Sequence, residues 1–309
     1  MIRKLLTLLN KLFPKLDHII VQGFPVGESS AVEVANYLSE HYKLPVYFAV
    51  SSNKENLKNV GLLNLEVILL NESSLRFRLK YLTAKYLFFT HGSPLSSFSK
   101  RQTVINIWHG VLYKNVGKLI GHAGIPADIT VATSELTRYM FSDAFGVSDS
   151  KVYTFGYPRN DILLRAKAMK SIIKKKIGKE IASFDKIIIW LPTYRKSVHG
   201  DIRVDGTDIN NPFYIENFDV TSFNQVLNDH NALCIVKPHP MAPKFEHIDD
   251  LENLIFIDDK WILDKGITLY HLVGCTDILI SDVSSIIIIG TFLIHPLIAA
   301  MVTPSKTAP

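Results

Sequence analysis

Several segments of this chain place histidine, lysine, arginine or serine directly after an apolar run, where a side chain can reach a ligand at the end of a sheet. Ile107-Trp108-His109-Gly110 releases a histidine beside a glycine. Imidazole titrates near neutrality and can take a proton from an alcohol. Lys237-Pro238-His239-Pro240 fixes a histidine between two prolines with a cation before it, a rigid donor pair suited to a diphosphate. Ser281-Asp282-Val283-Ser284-Ser285 reads as a hydroxyl-rich turn opening a helix, which aims hydroxyl and N–H groups at an anion. Phe155-Gly156-Tyr157-Pro158-Arg159-Asn160-Asp161 and Leu191-Pro192-Thr193-Tyr194-Arg195 each set an arginine after a β run. Arg159 and Arg195 could neutralise phosphate. Each segment also has a plainer reading: a structural histidine, a stiff turn, a helix cap or a rim ion pair.

These segments need strands to position them, and the chain supplies strands in a regular rhythm. His18–Gln22, Pro45–Val50, Leu65–Leu70, Lys85–Thr90, Thr103–Trp108, Asp128–Ala132 and Lys151–Phe155 are rich in Val, Ile, Phe and Tyr. Helical spacing lies between them at Glu28–His41, Ser73–Ala84 and Ser134–Phe145. Lys186–Leu191, Ala232–Lys237, Leu254–Ile257, Asp277–Ile280 and Pro296–Val302 continue the pattern. Strands alternating with helices predict an α/β fold with mostly parallel sheets. Two halves of this kind hold substrate between them, at the carboxyl ends of strands. The expected division is an amphipathic helix at 1–16, a Rossmann-like domain at 17–165, a basic linker helix at 166–182 and a second α/β domain at 183–309. Ile286–Val302 is apolar over 17 residues but contains His295 and Pro296, so a buried strand–helix–strand segment is expected rather than a membrane span.

Composition narrows the class. The 309 residues are 47% hydrophobic and 20% charged, with a net charge of +5, which is globular rather than disordered or fibrous. Two cysteines, Cys234 and Cys275, exclude a disulfide scaffold and an all-cysteine zinc site and suit a reducing, cytoplasmic setting. Seven Lys/Arg and no acid fall between Arg165 and Lys179, either a solvated linker or a face for polyanions or anionic lipid. Lysine and arginine cluster without interleaved aromatic platforms, so no nucleic acid is expected. In residues 1–16, Ile2, Leu5, Leu6, Leu9, Leu12 and Phe13 share one helical face flanked by Arg3, Lys4 and Lys11. That pattern fits a helix lying in a membrane interface and fits equally a helix packed on its own domain. No secretory signal is read, since charges recur and no small-residue cleavage site follows.

The motifs taken in order are more specific than any one of them. Trp-His-Gly, Gly-Tyr-Pro-Arg-Asn-Asp, Leu-Pro-Thr-Tyr-Arg, Lys-Pro-His-Pro and Thr-Asp-Ile-Leu-Ile-Ser-Asp-Val-Ser-Ser, spread over residues 80–298, resemble the CDP-glycerol glycerophosphotransferase family of teichoic acid and capsule polymerases. The resemblance implies a GT-B-like fold, two Rossmann-like domains with a cleft between them. It also implies an enzyme that moves a polyol phosphate, glycerol phosphate foremost, from a CDP-activated donor to a hydroxyl of a lipid-linked or polymeric acceptor, releasing CMP. It makes His109 the base on the acceptor and gives the donor diphosphate to His239, with Lys237, Ser284, Ser285, Arg195, Thr193 and Asp282 around it. Gly110, Arg159 and Asn160 are expected on the acceptor or cleft side. Family members associate peripherally with the inner face of the cell membrane, which favours the interfacial reading of residues 1–16.

Two departures stand out. Val283 occupies a position that is usually tyrosine, and Ile286-Ile287-Ile288-Ile289 carries no acid where one usually follows. The second domain also reads as shortened at its C-terminal end, either a short family variant or a truncation that would expose apolar surface and favour a homo-oligomer or instability. No cofactor is firmly implied. Mg²⁺ is neither required nor excluded, with Asp282, Asp277 and the Asp258–Asp259 pair as its oxygen ligands. Alternative readings are a GT-B glycosyltransferase or epimerase using a UDP-sugar, or a non-catalytic relative that binds polymer.

Overall fold

The computed structural model describes residues 2–51, 57–110, 116–178, 181, 183–195, 211–242, 251–282, 286 and 297–299. Contacts divide the chain into two units, Met1–Ile162 and Leu163–Pro309. The division falls inside helix α5 (Arg159–Ala168), three residues before the expected boundary.

In the first unit, seven strands form one sheet in the order β3-β2-β1-β4-β5-β6-β7, and every pairing is parallel. They are β1 (Leu16–Gln22), β2 (Val46–Val50), β3 (Ile68–Asn71), β4 (Ala84–Phe89), β5 (Thr103–Asn106), β6 (Ile129–Val131) and β7 (Val152–Tyr153). All five residues of β2 are buried, as expected of a parallel strand covered on both faces. The helices begin where short polar side chains satisfy their first N–H groups. Ser74 accepts from Phe77 N to start α3 (Leu75–Thr83). Ser134 and Thr137 form a reciprocal capping box at the start of α4 (Glu135–Phe145), and Gly146 ends that helix in the left-handed region at φ 66°.

Helix α1 (Ile2–Leu12) packs one face on the first unit and leaves another exposed. Leu6 and Leu9 pack on the core of the first unit. Asn10 is fully buried; its Nδ2 donates to Gln102 Oε1 at 3.0 Å, and its Oδ1 accepts from Ser99 N at 2.9 Å. Leu5, Leu8 and Leu12, however, are 56%, 55% and 68% exposed. The buried face is therefore centred on Asn10 rather than on the leucine stripe, because Gln102 and the Ser99 backbone offer polar partners there.

The second unit repeats the logic with five parallel strands in the order β10-β9-β8-β11-β12. They are β8 (Lys186–Leu191), β9 (Ala232–Val236), β10 (Leu254–Phe256), β11 (Ile278–Ser281) and β12 (Leu297–Ala299). Trp190 on β8 anchors an aromatic group with Phe213, Phe218 and Phe223, ring centroids 4.9–5.8 Å away. The stretch expected as a basic linker folds onto this unit. Ile173 and Ile177 of α6 (Lys170–Ile177) are buried, Lys170 pairs with Asp277, and Lys176 donates to Gly266 O at 2.7 Å. Gly274 is required there, since a Cβ on it would lie 2.7 Å from both Ala166 Cβ and Leu163 O.

Both units are thus Rossmann-like. In each sheet the strand order reverses once, between β1 and β4 and between β8 and β11. Ligands of open α/β sheets bind outside the carboxyl ends of strands at such reversals.

Candidate functional site

At the reversal in the first unit, β4 runs into Thr90-His91-Gly92 and β5 into Ile107-Trp108-His109-Gly110. Asn106 Oδ1 accepts the Trp108 N–H at 3.0 Å, closing a tight turn directly after β5. Trp108 then takes φ 54°, a strained left-handed conformation for a bulky residue. That kink brings the His109 ring onto His91, with centroids 3.6 Å apart and planes 11° from parallel. His109 Nδ1 lies 2.8 Å from Thr90 O. A carbonyl can only accept, so Nδ1 carries the proton of the neutral ring and Nε2 is the basic nitrogen.

The Gly-Tyr-Pro-Arg-Asn-Asp segment holds this loop. Tyr157 Oη donates to Gly110 O at 2.8 Å, and Arg159 Nη1 donates to His109 O at 2.6 Å. Arg159, expected toward a phosphate, is only 4% exposed, and its Nη1 also lies 3.8 Å from Glu28 Oε1. Its guanidinium braces the histidine loop from inside the unit. Asn160 begins α5 beside it, its backbone N–H bonded to Tyr157 O at 2.9 Å. Gly110 is buried.

His91 is the residue that the sequence reading missed. Its signal was present: a His-Gly pair after an apolar strand, the pattern that singled out His109. Its ring also meets Phe24 edge-on at 5.0 Å. Burial against these rings pushes its pKa down to about 4, although the residue as a whole is exposed. The ring stacks on His109 and is neutral at neutral pH. His91→Ala is expected to lower turnover by up to about tenfold, the worth of one aromatic contact, with His91→Phe recovering part of the loss. Steady-state kinetics of the two variants checks this; equal loss in both would show that stacking on His109 is not what matters.

In the second unit, the expected donor residues cluster at the ends of β8, β9 and β11. Asp282, just past β11, accepts the Thr193 N–H at 3.0 Å and the Arg195 Nη2–H at 2.8 Å. Arg195 and Thr193 are 4% and 5% exposed, and Arg195 Nη1 is buried without a hydrogen-bond partner among the described residues. Lys237, 5% exposed, reaches Asp259 at 3.0 Å. His239 is exposed and lies tilted 4.7 Å from the Tyr194 ring. Its Nδ1 accepts the Met241 N–H at 3.1 Å, so in the neutral ring the proton sits on Nε2, the opposite tautomer to His109. Ser284 and Ser285 lie outside the described residues.

The carboxylates weighed for Mg²⁺ are engaged with protein groups. Asp282 holds Arg195, Asp259 holds Lys237 and Asp277 holds Lys170. Asp258 caps the helix Asp259–Asp264. Among the described residues no three His, Cys, Asp or Glu side chains are grouped to hold a metal ion. Cys234 and Cys275 are buried free thiols; desolvation raises both, Cys275 to about 12, which marks them as packing groups rather than nucleophiles.

Residues 26–302 match the family model of CDP-glycerol:poly(glycerophosphate) glycerophosphotransferase. The chain belongs to that family. It is 31% identical, over 230 residues, to the teichoic acid ribitol-phosphate polymerase TarL of Staphylococcus aureus (strain NCTC 8325 / PS 47), an alignment covering 69% of this chain and 38% of that protein. The chain therefore spans well under half the length of this relative. Its fold is similar to that of the wall teichoic acid polymerase TagF, with a TM-score of 0.71 at 19% identity over 94% of this chain and 72% of that one. The UDP-GlcNAc 2-epimerase from Neisseria meningitidis is more distant, with a TM-score of 0.51 at 12% identity over 86% and 77%. The five motifs read from the sequence all fall inside the family match.

Proposed function

We propose that the chain transfers a polyol phosphate from a CDP-activated donor to an acceptor hydroxyl, in teichoic acid or capsule synthesis. His109 Nε2 takes the proton from the acceptor hydroxyl as that oxygen attacks the phosphorus bearing the polyol. A new P–O bond forms, the P–O bond to CMP breaks, and CMP leaves with the electron pair. His239, through its Nε2–H, and Lys237 and Arg195 offset charge on the diphosphate, and Ser284 and Ser285 contact its oxygens. The observation that supports this reading most is the His109 tautomer: the Thr90 carbonyl holds the Nδ1 proton, so Nε2 is the nitrogen able to accept one from a hydroxyl.

The acceptor is lipid-linked or polymeric, and the leucine stripe of α1 supports peripheral association with the inner face of the membrane. Leu5, Leu8 and Leu12 project outward with Lys4 and Lys11 exposed beside them, a pairing suited to an anionic lipid surface. Among the described residues no helix is long and apolar enough to cross a membrane.

The test is a donor screen with a membrane fraction as acceptor source, reading free CMP and UDP. Release of CMP from CDP-glycerol or CDP-ribitol is expected. Release of UDP from a UDP-sugar, with none of CMP, would support instead a sugar-nucleotide enzyme of the kind the epimerase likeness represents.

A further inference from the structure

The first turn of a Rossmann-like unit ordinarily receives a phosphate at a helix N-terminus. In the first unit that position is closed by the chain itself. Glu28, the N-cap of α2 (Ser29–His41), is 9% exposed, and its carboxyl accepts the Ala31 N–H at 2.9 Å. Gly23 makes the close packing of this turn possible, since a Cβ there would lie 2.7 Å from Ala31 Cβ. The donors an anion would use are thus already taken by a carboxyl group.

Beside this turn lies a cavity of about 280 Å³, lined by Gln22 through Val26, Ser51, Glu72, His91 and Gly92. It spans the carboxyl ends of β1 to β4, across the strand-order reversal. Its size is close to the lower limit for small-ligand sites, enough for a three- to five-carbon polyol. Among the described residues its lining contains no lysine or arginine. Its polar groups are a carboxylate, an amide, a hydroxyl and an imidazole. Gln22 Nε2 donates to Glu72 Oε1 at 2.8 Å, while Gln22 Oε1 is buried without a hydrogen-bond partner among the described residues. Phe24 and Pro25 add apolar surface suited to C–H groups. Acceptors beside an apolar wall, with no cation among the described residues, match a neutral polyhydroxyl group and disfavour a phosphate.

We propose that this cavity binds the neutral, hydroxyl-bearing end of the acceptor, with Glu72 and Gln22 holding its hydroxyls and His91 placing it next to the His109 ring. The assignment rests on the transfer reaction proposed above and adds a substrate class to its acceptor side. A phosphate of the acceptor chain lies outside the cavity. The hydroxyls come from one of two sources, a polyol or a terminal sugar, and both present the same chemistry to Glu72.

The experiment follows the ring nitrogens of His91 and His109 by ¹H–¹⁵N NMR in the full chain. It titrates glycerol, ribitol, methyl N-acetylglucosaminide, glycerol 3-phosphate and inorganic phosphate separately. A saturable shift at His91 is expected with a neutral compound. Glycerol 3-phosphate should bind at least tenfold more weakly than the preferred neutral compound, and Glu72→Gln should weaken that compound at least tenfold. Preference for ribitol or glycerol assigns a polyol end, and preference for the glycoside a sugar end. Ser51→Leu, which fills the cavity from another strand end, should abolish the shift even if Glu72→Gln fails to fold. Equal or tighter binding of the phosphates, or no shift with any neutral compound, would overturn the assignment. The titration uses no nucleotide donor. CMP release with His91 unmoved would defeat the cavity alone, and polyol binding without turnover of any CDP-polyol would defeat the reaction alone.

Discussion

His109→Ala is expected to lower turnover by roughly 10²–10⁴-fold, the usual contribution of a positioned general base, with little change in KM for the donor. Three backbone features set this expectation. The Thr90 carbonyl fixes the proton on Nδ1, the turn at Trp108 swings the ring onto His91, and Tyr157 and Arg159 grip the carbonyls of Gly110 and His109. The ring is held in one tautomer and one orientation before substrate arrives, so its removal is felt in the chemical step more than in binding. His109 is only half-buried and is not itself a core residue, so the variant should fold. Initial rates of CMP release over a donor series separate kcat from KM. Wild-type turnover in the purified variant would remove His109 from the mechanism.

The second large effect is on stability. Asp282→Ala should destabilise the second unit by about 3–5 kcal/mol, the range for breaking a buried ion pair from one side. The side chains of Arg195 and Asp282 are 5% and 7% exposed, so the guanidinium left behind would be buried without its countercharge. The Thr193 N–H would lose its acceptor as well. Replacing both partners, as in Asp282→Leu with Arg195→Met, should recover much of the loss, because no isolated charge then remains. Urea unfolding of the two variants and the wild type gives the comparison. An unchanged midpoint for Asp282→Ala would mean that Arg195 finds another partner or reaches water. Asp282 holds Thr193 and Arg195 of the proposed donor site, so the single variant should also bind CDP-glycerol more weakly, measurable by calorimetry.

How far local patterning reads this molecule depends on what each residue answers to. Lys186–Leu191 is a strand over the expected residues, because a run of apolar residues covered on both faces has no competing use. Thr103–Trp108 was expected to extend two residues further than it does, ending at Asn106. A side-chain oxygen there accepts the Trp108 N–H and ends the strand locally, which hydropathy does not register. Arg159 was read toward phosphate because arginine after a β run commonly faces a ligand. It turns inward to His109 O and Glu28 because both partners arrive from elsewhere in the unit. The stripe of α1 was read as one face, but burial centres on Asn10 at its edge, so Leu6 and Leu9 pack while Leu5 and Leu12 stay exposed.

What this sequence determined by itself is the alternation of apolar runs and helical periods, and the placing of reactive side chains just beyond those runs. Both are local properties, settled by neighbours within a few residues. Which nitrogen of His109 is basic, which histidine it stacks on, and whether a cation faces ligand or protein were decided only in the tertiary structure. Those outcomes depend on strand neighbours that the chain order does not reveal: β4 beside β5 brings Thr90 and His91 to His109, and β8 beside β11 brings Thr193 and Arg195 to Asp282. A hydrogen bond or an ion pair is a property of two groups in contact, and folding alone sets which groups meet.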